Sequence, residues 1–204
     1  MATLPELLRD LDRALGAGDL DTAASVRRTI AEGHPTAPEA AEARFKLGLH
    51  LLFKGRDLEA AAGELREAAK AKHPVWSPQA RISLGLILLR QGKFQQAVFE
   101  LRRVSGQTPP TLASAQAAGL VVVALRSDKK ATEADRARGQ QLDLLDKLTR
   151  SLNGEEKAMA QFMLGMEHKH DGRRDKARPL LQAALTTGLP GREAEVAKRA
   201  LAEV

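Results

Sequence analysis

The 204-residue chain contains no cysteine and no tyrosine, with one tryptophan and five phenylalanines. Lack of cysteine excludes a disulfide scaffold, a thiolate metal site and a cysteine nucleophile. The scarcity of aromatic and β-branched residues argues against strands. Long apolar runs are also missing. The longest, near residues 84–89 and 120–125, fall far short of the roughly 20 residues of a membrane-spanning helix. The opening stretch, Met1 to Asp12, carries acids where a signal peptide would have a basic start and an apolar run. A cytoplasmic location without membrane insertion is therefore expected. No Gly-x-Ser-x-Gly, glycine-rich phosphate loop or His-Glu-x-x-His occurs, so spacing reveals no catalytic grouping. The expectation is a non-enzyme with no cofactor.

What the chain has in abundance is alanine and leucine, about 35 and 31 residues. Both head the helix-propensity scale, which points to an all-α fold. The formal net charge is +6. Residues 1–100 hold 14 Lys and Arg against 13 Asp and Glu, and residues 101–204 hold 18 against 13. The surplus is therefore mostly C-terminal and interleaved with acids, as on a solvated helical surface.

Self-similarity is the strongest signal. Leu47-Gly48, Leu84-Gly85 and Leu164-Gly165 are each followed seven residues later by another glycine: Gly55, Gly92 and Gly172. Ala61, Ala97 and Ala177 come next, then Leu65, Leu101 and Leu181; the first copy has one extra residue between Gly55 and Ala61. The first glycine of each set gives a second helix room to approach, and the second ends the first helix where a positive φ is cheap. Prolines at 35, 74, 109 and 190 break the chain after each unit.

This pattern resembles the tetratricopeptide repeat, a helix–turn–helix unit of about 34 residues. Two further copies are degenerate. Gly18-Asp19-Leu20 with Ala23 matches the turn, although Asp10-Leu11 replaces the Leu-Gly pair. Ala118-Gly119 suggests another first helix, but its turn, Ser127 to Lys130, lacks glycine. Residues 127–141 could continue a helix or form an insert. The fold expected is an all-α tetratricopeptide-like superhelix, or solenoid, forming a single domain over 1–204. Its five antiparallel helix hairpins are expected at about 3–34, 37–72, 78–107, 111–151 and 153–188, with a capping helix at 191–204. Ser77-Pro78 reads as a helix cap with Trp76 as its hydrophobic staple, and Asn153 with Glu156 has capping-box spacing. Pro179 must fall near the start of its helix or remove a hydrogen bond.

Projected at about 100° per residue, the first helices carry two apolar stripes. Ala43, Leu47 and Leu51 form one, repeated by Ala80, Leu84 and Leu88. Phe45, Leu49, Leu52 and Phe53 form the other, repeated by Ile82, Leu86 and Leu89. Packing against one neighbour needs one stripe, so the second faces something else. The family resemblance implies that it lines a concave groove that continues through Leu120, Val123, Phe162 and Met166, with Lys46 and Arg90 as rim charges. The polar donors with which some members of the family grip a chaperone's C-terminal carboxylate are few along this surface. The expected partner is an apolar or amphipathic segment of another protein, held by a scaffold, adaptor or chaperone-like module. Two alternatives remain open at this stage. The groove is filled by self-association or the protein's own chain, or the basic C-terminal half (Lys129, Lys130, Arg136, Arg138) binds a polyanion, although no aromatic residue lies there to stack on bases. His168 and His170, two positions apart, point to different sides of a helix and cannot easily share an ion, so no metal site is expected.

Overall fold

The computed structural model describes residues 2–204 and is all-α, with no strand among them. Its helices are α1 (Leu4–Gly16), α2 (Leu20–Gly33), α3 (Pro38–His50), α4 (Leu58–Lys70), α5 (Trp76–Arg90), α6 (Phe94–Ser105), α7 (Leu112–Ser127), α8 (Ala131–Ser151), α9 (Gly154–His170), α10 (Arg174–Thr187) and α11 (Gly191–Ala202). A π-helical turn, Leu51–Gly55, extends α3. The chain forms two compact units, 1–101 and 102–204. In the first, α2 packs on α1 and α3, and α4 packs on α3 and α5. In the second, α7 pairs with α8 and α9 with α10, while α8 also packs on α9 and α11 on both α9 and α10.

The hairpin crossings follow directly from side-chain size. A methyl group added at Gly48 would lie 2.8 Å from Leu65 Cγ, one at Gly85 2.7 Å from Leu101 Cγ, and one at Gly165 3.0 Å from Leu181 Cγ. Leu65, Leu101 and Leu181 are completely buried, as are the crossing alanines Ala61, Ala97 and Ala177. A bare backbone on one helix thus receives the leucine of the other.

Left-handed backbone at the turn sets the register. Gly18, Gly92 and Gly172 have φ of 69°, 70° and 72°. In the hairpin with the extra residue it is Arg56, at φ 52°, that takes this conformation, rather than Gly55 as its sequence position suggests. The π turn absorbs the insertion: the Arg56 N–H bonds to the Leu51 carbonyl, one residue further back than in an α-helix. In every hairpin a buried alanine then follows five residues after the left-handed position: Ala23, Ala61, Ala97, Ala134 and Ala177.

The degenerate fourth hairpin obeys the same geometry one turn further out. Lys129, at φ 58°, supplies the left-handed turn that the missing glycine would have made. It lies ten residues after Gly119, where the clear copies have seven, or eight in the copy with the inserted residue, and Gln141 lies twelve residues after it, where they place leucine after nine. Three residues on each arm add most of a turn to both helices, so they still cross in register. Residues 127–141 are therefore helical apart from the short turn. Gln141 takes the leucine's place against Gly119; it is buried and donates to Glu167 Oε1 at 3.0 Å.

Two local expectations, the caps at Ser77 and Asn153, are corrected, and the alternatives left open for Pro179 are decided. Ser77 is not a cap: α5 begins at Trp76, and the Ser77 hydroxyl donates to the Ala68 carbonyl of α4 at 2.8 Å. Capping falls to His73, whose Nδ1 accepts from the N–H groups of Val75 and Trp76, both at 3.2 Å. Asn153 precedes α9 without a side-chain cap bond. Pro179 is the sixth residue of α10, so its missing N–H leaves the carbonyl four residues back without an intrahelical donor.

Candidate functional site

The proposed groove residues of the first unit separate by depth. Phe45 and Ile82, expected as anchors, are buried, 7% and 8% exposed. Phe45 lies under Trp76, with ring centroids 5.4 Å apart and planes at 29°. Lys46 covers this stack, its ammonium 5.1 Å from the Trp76 ring and 5.9 Å from the Phe45 ring, a cation–π arrangement. Trp76 is thus a staple between α3 and α5 rather than within its own helix. This end of the stripe is closed by the protein's own side chains.

Toward the other end the stripe opens. Leu49, Leu52 and Leu89 are half-buried, Leu86 is 43% exposed, and Phe53 is 74% exposed. Phe53 sits on the π turn, where the wider backbone coil changes the direction of its side chain relative to an uninterrupted helix. Leu52, Phe53, Arg56, Leu58 and Arg90 line a hollow of about 410 Å³. The structure therefore brings together Leu52, Phe53 and Arg90 of the expected set and adds Arg56 and Leu58. A side chain on the turn after an insertion could not be placed from helical periodicity.

Charges around the hollow are unevenly matched. Lys54, next to Phe53, is held by Asp21 at 2.5 Å, and Asp21 also faces His50 Nε2 at 3.4 Å. Asp57 caps α4 by accepting from the Ala60 N–H at 3.0 Å, and Glu59 accepts from Gln91 at 3.0 Å. The guanidinium groups of Arg56 and Arg90 have no such partner among the described residues.

Elsewhere in the first unit, two arginines that periodicity did not single out tie neighbouring helices together. Arg44 of α3 donates to Glu64 of α4 at 3.1 Å and to the Ala31 carbonyl of α2 at 3.0 Å. Arg81 of α5 repeats this with Glu100 of α6 and the Ala69 carbonyl of α4. Each satisfies an end carbonyl of the preceding helix while pairing with a half-buried carboxylate. Their sequence signal is an arginine three residues before the Leu-Gly leucine, matched by a glutamate just before the leucine of the next helix.

In the second unit, Leu120 is half-buried and Val123 50% exposed on α7. Phe162 and Met166 of α9 are half-buried against the core of Ala158, Leu181, Ala184, Leu189, Ala197 and Ala200, to which the final helix contributes. The basic stretch is partly neutralised internally: Lys130 pairs with Asp128 at 3.1 Å, and Arg138 with Glu167 at 2.9 Å and Asp171 at 2.6 Å. His168 is half-buried with its Nδ1 unpartnered, and burial, reinforced by Arg173 and Lys176, holds its pKa below the ordinary imidazole value. Among the described residues, no helix is long and apolar enough to cross a membrane.

Hairpins built on one repeated glycine–leucine crossing define a helical-repeat protein. The tetratricopeptide repeat family model matches residues 11–75 and 50–110, and the chain belongs to the tetratricopeptide repeat superfamily. Among curated proteins, none matches the sequence. Solved structures share the fold at low identity. MamA from Desulfovibrio magneticus RS-1 is 18% identical with a TM-score of 0.53, over 89% of this chain and 92% of that one. PilF of Pseudomonas aeruginosa is 16% identical with a TM-score of 0.56, over 97% and 86%. YrrB, described as a TPR protein with an unusual peptide-binding site, is 18% identical with a TM-score of 0.50, over 95% and 91%. The fold is the all-α tetratricopeptide fold, the architecture of protein-interaction modules.

Proposed function

We propose that the protein is a non-catalytic scaffold or adaptor that holds an apolar or amphipathic segment of another protein, with the first unit as its principal binding face. The observation that carries this is Phe53, a large aromatic side chain three-quarters exposed on a π turn and lining a hollow with Leu52, Leu58, Arg56 and Arg90. Exposed Leu86 and half-buried Leu49 and Leu89 supply further apolar surface on the same helices. Lys46, whose ammonium lies over Trp76, and Arg90 are the polar rim. The description of YrrB as having a peptide-binding site supports a peptide ligand for this fold. The setting we propose is cytoplasmic, with localisation of the tagged chain as the check.

Phe45 and Ile82 support the face from below in this assignment, and the partner meets Phe53 and Leu86. Covering such side chains contributes about 1.5–3 kcal/mol each, before the cost of ordering the partner. The test is selection of random peptides on the immobilised full chain, followed by titration against wild type and Phe53→Asp/Leu86→Asp. Both positions are exposed, so the double variant should keep its helical circular dichroism while losing at least tenfold in affinity. Equal affinity in a folded double variant would contradict the assignment.

A further inference from the structure

Resting on the assignment of this face as the partner site, we infer that the segment it takes carries a carboxylate side chain, from Asp or Glu, beside its apolar anchor. The hollow has three apolar walls, Leu52, Phe53 and Leu58, and two cationic ones, Arg56 and Arg90, with no acid among its lining residues. The nearby carboxylates are already engaged: Asp21 by Lys54, Asp57 by the Ala60 N–H, and Glu59 by Gln91. Two guanidinium groups without internal partners, beside an exposed ring, complement an anion next to an apolar side chain.

Arg56 carries the point further. It occupies, at φ 52°, the left-handed turn position that Gly18, Gly92 and Gly172 fill at 69–72° in three other hairpins and Lys129 at 58° in the fourth. Glycine would hold this backbone at lower cost. An arginine there places a long cationic side chain at the edge of the hollow.

The test is to read the composition of the selected peptides and to titrate each against its acid-to-amide twin, on wild type, Phe53→Asp/Leu86→Asp and Arg56→Gly/Arg90→Gln. Arg56→Gly relaxes a strained position, so weaker binding by that variant cannot be ascribed to unfolding; its melting midpoint should match or exceed that of wild type. The expected result is Asp or Glu next to Leu, Ile, Phe or Trp in the selected peptides. Affinity should fall about tenfold on amidation with wild type, with little further loss on the arginine double variant, and should weaken with salt. Peptides that need Phe53 and Leu86 but are indifferent to amidation overturn this inference and leave the site assignment standing. Failure to recover any peptide, or peptides indifferent to Phe53→Asp/Leu86→Asp, overturns the site assignment and the inference with it.

Discussion

Gly48→Ala and Gly63→Ala make the same chemical change on facing helices and should have opposite effects on stability. In an unobstructed helix the change from glycine to alanine gains about 1 kcal/mol. At Gly63 in α4 nothing lies within 4 Å of the added methyl, so that gain should appear in full. At Gly48 the methyl would meet Leu65 Cγ at 2.8 Å, its Cδ2 at 3.1 Å and the Ala61 carbonyl oxygen at 3.3 Å. Leu65 is completely buried and cannot swing aside, and the carbonyl belongs to the backbone. Overpacking of this kind costs typically 1–3 kcal/mol, which outweighs the propensity gain. The two variants should therefore differ by roughly 1–3 kcal/mol, with Gly63→Ala above wild type and Gly48→Ala below. Urea titration followed by circular dichroism measures this, with the slope checked for each variant because repeat proteins need not unfold in one step. A midpoint for Gly48→Ala equal to or above that of Gly63→Ala would refute the glycine–leucine crossing as the organising contact.

Other expectations follow from the same contacts. Lys129→Gly should raise the thermal midpoint, gaining about 1 kcal/mol by relieving a left-handed non-glycine residue, whereas Gly172→Ala should lower it by a similar amount. Arg81→Met removes a donor to both Glu100 and the Ala69 carbonyl; it should destabilise by about 1–3 kcal/mol, read by denaturant unfolding, and Arg44→Met should do likewise. The pKa of His168 is lowered by burial and then by Arg173 and Lys176, so the folded state prefers the neutral ring. Its contribution is complete above the ordinary value of 6.5 and is lost as pH falls from there through the lowered value. NMR titration should show the shifted midpoint, and His168→Gln should flatten the pH dependence of stability in that window.

The hairpins were legible in the sequence because each crossing needs a glycine, an alanine and a leucine at fixed spacing, and the clear copies preserve all three. The fourth hairpin was partly hidden by its near-turn extension and by Gln141 standing where the others have leucine. Among the site residues, helical projection correctly separated Leu47 and Leu84, which are deeply buried, from Leu86 and Phe53, which are exposed. It failed for Phe45, because the ring that covers it comes from Trp76, more than thirty residues later in the chain. It also missed Arg56, since an inserted residue can enter the helix or the loop, and only the backbone shows that the π turn took it. The paired arginines Arg44 and Arg81 were legible in principle, for their spacing to the Leu-Gly pair and to Glu64 and Glu100 is identical in the two hairpins apart from the inserted residue.

The central claim is that a partner segment lies against the π turn and the end of α5. Hydrogen–deuterium exchange of the full chain with and without a selected peptide tests this directly. Bound peptide should slow amide exchange across residues 49–58 and 86–92, with the Leu51–Gly55 turn changing most, because its bonds are the ones a ligand at Phe53 would cover. Protection confined to residues 102–204, with the π turn exchanging as in the free protein, would contradict it.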